Sequence, residues 1–90
     1  MPRYIVERTF REGLHVPANE EGAQALGGIV ANNAEEGVSW VHSYVSADKM
    51  RSFCVYDAPN EEAIRRVGAK NNVPVDAIHE VRVLDPYFYH

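Results

Sequence analysis

The sequence predicts an α+β fold with the element order strand, helix, strand, strand, helix, strand, and three observations carry that prediction. Residues 38–45 and 53–56 alternate β-branched or aromatic side chains with polar ones, the period of a half-buried strand, and fold back through Ser46-Ala47-Asp48-Lys49-Met50. Stretches with apolar residues at helical spacing lie on either side of that hairpin, at 19–36 and from Pro59 or Asn60 to Lys70. Further alternating runs open and close the chain, at 3–10 and 79–84. Short connections, a central hairpin and right-handed crossovers then select a four-stranded antiparallel sheet with both helices on one face, the ferredoxin-like βαββαβ arrangement.

In the first strand Tyr4 and Val6 are expected to face the core, with Ile5 and Glu7 on the opposite face. A carboxylate in mid-strand needs water, a cation or a donor, so Glu7 reads either as a metal ligand or as the partner of an arginine such as Arg82. The loop that follows is punctuated by Gly13 and Pro17 and carries His15, expected to be solvated. Asn19 is the expected N-cap of the first helix, Glu20 and Glu21 suit its first turn, and Leu26, Ile29 and Val30 form its apolar stripe. Gly22, Gly27 and Gly28 each cost about 1 kcal/mol relative to alanine. The Gly27-Gly28 pair therefore predicts close packing there, and Gly37 the helix end.

An odd-length hairpin connection puts Val41 and Val45 on the core face with Phe53 and Val55, and leaves Trp40, His42, Tyr44, Cys54 and Tyr56 together on the other. In the second helix Ala63, Ile64 and Val67 form the buried stripe, while Glu61 and Glu62 at its start and Lys70 at its end suit the helix dipole. In the last strand Val81 and Val83 point inward, Glu80 and Arg82 join the aromatic face, and His79 points toward the helices. Residues 85–90 form an aromatic tail expected to dock on its own chain or on a second subunit.

Ninety residues make a single domain, 1–90, with a core small enough that pairing with a second copy helps. A net charge of −4 without a basic cluster argues against nucleic acid and anionic membranes as partners. One cysteine excludes an internal disulfide framework or a cysteine-rich zinc site. No leader or long apolar run is visible, and the expected location is cytoplasmic. The sheet face without helices, holding Ile5, Trp40, Tyr44, Tyr56 and Arg82, is best buried against a second copy. The expected assembly is a homodimer with face-to-face sheets, a dimeric α/β barrel.

The opening MPRYIVER, the central WVHSYVSADK and FCVYDAPNEEAIR, and the closing PVDAIHEVRVLDP resemble the nickel-binding-protein-like family of small bacterial ferredoxin-like domains. The resemblance spans nearly the whole chain and is weakest over 10–36. It implies a small homodimer and nickel as the bound metal. Glu7 and Arg8 stand where the nickel-binding relative has histidines near the end of its first strand, and Val67 where many members have a histidine in the second helix.

A divalent transition metal, nickel in particular, would need imidazole, carboxylate or thiolate groups converging from separate strands. Glu7, His42, Cys54 and Glu80 are the candidates, all expected on one sheet face, although no local ligand spacing links them. Each also has a structural explanation: His42 as an interface histidine, Cys54 as a small buried hydrophobe. The alternatives are a cofactor-free dimeric enzyme of the monooxygenase or isomerase type, or a small-molecule-binding module. Both would use the cleft around His42, the enzyme with His42 as general base, Tyr44 or Tyr56 as donors and Trp40 as an apolar wall, the binding module holding a small apolar ligand without turnover.

Overall fold

The computed structural model describes residues 1–16 and 18–87. Pro17 and the tail residues Phe88, Tyr89 and His90 lie outside the described residues. The chain runs β1 (Arg3–Thr9), α1 (Glu20–Glu35), β2 (Ser39–Val45), β3 (Arg51–Asp57), α2 (Glu61–Asn71) and β4 (Ala77–Val81). The strands form one antiparallel sheet in the order β2-β3-β1-β4, the ferredoxin-like topology.

The helix ends follow the side chains the sequence supplies. Asn19 and Asn60 cap α1 and α2, their side-chain oxygens accepting the backbone N–H of Gly22 and Ala63 at 3.1 and 2.8 Å. Asn72 closes α2 in the left-handed region, and Gly37 takes a positive φ just beyond α1. β4 is shorter and begins earlier than its alternation suggested. Its pairing with β1 ends at Val81, so Arg82 lies past the strand and Val83 is exposed rather than inward.

The two helices are anchored differently. α2 buries Ala63, Ile64, Val67 and Gly68 into a core that includes Tyr4, Val6, Val38, Cys54, Tyr56 and Ala58. In α1 the buried residues are Gly22 and Asn33, and Leu26 and Ile29 are only half-buried. Polar contacts tie α1 to α2 instead. Asn32 donates to Asn71 at 2.8 Å, Asn71 donates to Asn33 at 3.1 Å, and Glu35 and Glu36 pair with Arg66 and Lys70 at 2.8–3.1 Å.

The hairpin departs from the expected register. Val45 pairs with Ser52, so an even number of residues, 46–51, separates these two partners, and a bulge between Trp40 and His42 shifts the pairing again. The turn chemistry fixes this length. The Asp48 carboxylate accepts from Ser46 Oγ and from the Met50 N–H at 2.6 and 2.9 Å, and Lys49 takes φ 62°. Phe53 and Val55 consequently lie on the sheet face away from the helices, while Trp40, Cys54 and Tyr56 lie beneath the helices with Tyr4 and Val6. Val45 is on the helix side but 46% exposed, and Val41 sits in the bulge.

Gly27 and Gly28 do not mark close packing: a Cβ added at either would meet nothing within 4 Å, and both are exposed on a continuous helix. The tight glycine is Gly68, where a Cβ would come within 2.9 Å of Val75 Cγ2. Gly27→Ala and Gly28→Ala should therefore each raise stability by about 1 kcal/mol. Gly68→Ala should lower it by about 1–3 kcal/mol, as overpacking does. Urea unfolding followed by circular dichroism measures all three.

Candidate functional site

The register divides the chemistry-bearing side chains between two faces. On the face away from the helices, His42, Val55, Ile5 and His79 form one cross-strand row, and Tyr44, Phe53, Glu7 and Ala77 the next. His79 Nε2 lies 2.9 Å from Glu7 Oε2 across the β1–β4 pair. His79 thus belongs to this open face and not to the helix side, and Glu7 has His79 for its partner in place of Arg82. His42 packs edge-on against Tyr44, their ring centroids 5.1 Å apart, and Tyr44 is 63% exposed. Arg3 grips Asp57 through two parallel bonds of 2.9 and 3.0 Å at the end of the same face.

The other expected ligands point elsewhere. Cys54 is buried beneath the helices, its sulfur 3.7 Å from Ser52 Oγ. Glu80 pairs with Tyr4, and burial, together with the Glu80 carboxylate, pushes the Tyr4 phenol up. Trp40 and Tyr56, expected on the open face, lie on the helix side. His42 and His79 share a row but stand three strand spacings apart, roughly 14 Å. Glu7, His42, Cys54 and Glu80 therefore do not converge, and no group of three His, Cys, Asp or Glu side chains placed to hold a metal occurs among the described residues. His15 contacts the Glu12 carbonyl at 3.1 Å in the 10–16 loop.

A nickel ion accepts nitrogen and oxygen donors in four- to six-fold coordination. The Glu7–His79 pair fits part of such a shell, provided the two groups exchange their mutual hydrogen bond for the cation. The described residues of one chain do not fill the remainder.

A cavity of about 310 Å³ opens between α1 and the sheet. Leu14, Leu26, Ile29, Trp40 and Val45 wall it, and Arg8, Ser52, Cys54 and Tyr56 line it from the sheet side. Arg8 is only 4% exposed, with its guanidinium carbon 5.7 Å from the centre of the Tyr56 ring. Burial is the main reason the Tyr56 phenol is pushed up to about 12, against the opposing pull of Arg8. His42 is on the far side of the sheet, so a cleft built around it does not coincide with this cavity. Arg8 was the residue that sequence reasoning overlooked. Its signal was parity, since it shares the inward alternation of Tyr4 and Val6.

The fold and its faces define a class: a small α+β sheet protein with one face left uncovered and a cavity beneath its first helix. Residues 4–81 match the SCO4226-like family, described as nickel responsive protein SCO4226-like, and the chain belongs to that family. Among solved structures it is similar to SCO4226 from Streptomyces coelicolor A3(2), with 22% identity and a TM-score of 0.71, over 92% of this chain and 99% of that one. No curated protein matches it significantly. None of the described helices is long and apolar enough to cross a membrane.

The Arg3–Asp57 clamp predicts a pH dependence. Hydrogen bonds from Arg3 hold the Asp57 carboxyl below the usual carboxylate range. A carboxyl lowered on folding contributes stability that is fully present above its unfolded value and lost as the pH falls through its folded one. The melting temperature of the wild type should therefore exceed that of Asp57→Asn at neutral pH, with the gap closing as pH falls from about 5 toward 2. Thermal melts of both proteins across that range check the sign.

Proposed function

We propose that the protein is a small homodimeric nickel-binding protein, one domain per chain, whose metal is held on the open sheet face between two copies. The observation that carries this reading is the Glu7–His79 pair, an imidazole and a carboxylate 2.9 Å apart on a surface that no helix covers. The family's description as nickel responsive supports nickel as the metal. Two donors do not make a shell, and a second copy is the economical source of the rest. A two-fold axis parallel to the strands would lay β2 of one copy over β4 of the other and bring a His42 toward each Glu7–His79 pair.

The same face carries Ile5, Phe53 and Tyr44, apolar area that a second sheet would remove from water. The charge of −4, without a basic cluster, leaves nucleic acid an unsuitable partner. A free, buried Cys54 suits a reducing compartment, and we place the protein in the cytoplasm.

The test is nickel titration of the metal-free protein with elemental counting per subunit, alongside sedimentation velocity. A dimer should retain nickel, and Glu7→Gln, His79→Ala and His42→Ala should each weaken retention by at least about tenfold, the loss seen even for groups that only support a ligand. A monomer at micromolar concentration, or nickel retention indifferent to all three changes, would remove the proposal.

A further inference from the structure

We propose that the cavity between α1 and the sheet binds a small organic monoanion, a carboxylate with an apolar body, and that Arg8 is its counter-ion. The site is separate from the open face, on the other side of the sheet.

The first argument is an uncompensated charge. Arg8 is 4% exposed, its Nε and Nη1 are buried without a hydrogen-bond partner, and no described carboxylate forms an ion pair with it. A guanidinium stays protonated in a protein, so burial cannot neutralise it. The Tyr56 ring offers its face at 5.7 Å, a partial compensation. Its phenol interacts with Arg8 but does not supply the missing negative charge, since a phenol is neutral at physiological pH and burial raises this one further. A buried cation with idle N–H donors is expensive unless something pairs with it.

The second argument is shape. Arg8 is among the residues lining a cavity of about 310 Å³ whose other walls are mostly apolar, with Leu26 and Ile29 of α1 half-buried above it. That volume is at the small end of the range for ligand pockets. Fork-like donors match a carboxylate in a bidentate manner. Among the described residues Arg8 is the single cation lining the cavity, which suits one negative charge better than the two of a phosphate. The apolar walls call for a ring or a branched chain behind that charge. Such a ligand would also fill the space that α1 leaves over the sheet.

Trp40 is the only tryptophan and lines this cavity, so its fluorescence reports occupancy directly. The probes are phenylacetate, hexanoate, phenylacetamide and inorganic phosphate, titrated against the intact protein with melting temperature as the second readout. Phenylacetate or hexanoate should give a saturable change and raise the melting temperature. Phenylacetamide should bind more weakly by about tenfold or more, the usual worth of a charge-assisted pair. Arg8→Met should fold and lose the acid's binding by a similar factor. Leu26→Phe, which keeps the charge and fills the space, should lose the thermal shift, and it serves as the test should Arg8→Met fail to fold. No saturable response to either acid, equal binding of the amide, equal binding of phosphate, or undiminished binding by folded Arg8→Met would each overturn the proposal.

Discussion

Everything that distinguishes the two faces of this sheet rests on the register of one hairpin. Side chains alternate along a strand, so a change of one residue in the connection between β2 and β3 moves every partner to the opposite face. The Ser46 hydroxyl bridges Asp48 and the Arg51 backbone, and the Asp48 carboxylate takes the Met50 N–H. These bonds hold the six residues between the paired Val45 and Ser52 in a turn that needs no glycine and accepts Lys49 at positive φ. They place Cys54 and Tyr56 beside Val6 and Tyr4, and leave Val55 and Phe53 beside Ile5 and Glu7. The bulge at Val41 then restores the helix side to Trp40, whose indole N–H finds Ser43 Oγ at 2.8 Å.

Against that sheet the helices differ in kind. α2 is seated by apolar burial, with Ile64 and Val67 essentially inaccessible to water and Gly68 letting the chain approach Val75. α1 is seated by polarity, through the asparagine contacts to Asn71 and the Glu35 and Glu36 pairs with Arg66 and Lys70. Ion pairs at a half-exposed surface contribute little each. The Glu36 carboxyl is held below its usual range by Arg66 and Lys70, which orients the end of α1 more than it stabilises it. With no large apolar side chain fully buried from α1, space remains between helix and sheet. The cavity is thus a consequence of which helix carries the apolar stripe.

The elements themselves were legible in the sequence. Asn19 and Gly37 are local signals whose effect depends on neighbouring backbone alone, and each acts in the structure as its chemistry implies. Tyr4, Val6, Ala63, Ile64 and Val67 were legible for a related reason, since periodicity within one element decides their burial. Cys54, Tyr56, Trp40 and Phe53 were not, because their face depends on how two strands are joined. Alternation fits either face equally, and no glycine announced the turn. The face of His79 is not legible either, because the apolar pair Val81 and Val83 suggests one inward parity while the strand turns Ile78, opposite Val6, toward the core; His79 then falls beside Ile5 and reaches Glu7. The glycine pair at 27–28 carried a composition signal without a packing cause, whereas Gly68, isolated among helix formers, carried the packing cause without an obvious signal.

Glu7 and Arg8 show how far local sequence can mislead about charge. They are neighbours in the chain, and a count over the segment finds them neutral together. The pleat sends them to opposite sides of the sheet, one to His79 on the open face and the other under α1. Neither can satisfy the other, because the strand that joins them also separates them. Glu7 therefore has water and an imidazole to work with, and remains free to meet a cation. Arg8 has an aromatic face and a mostly apolar cavity, where a cation's attraction for an anion is screened less than at the open surface. Exchanging the two residues would leave composition and net charge unchanged, yet it would put a carboxylate into the cavity and a guanidinium beside His79. The chemistry open to each face is therefore set by the order of two adjacent residues.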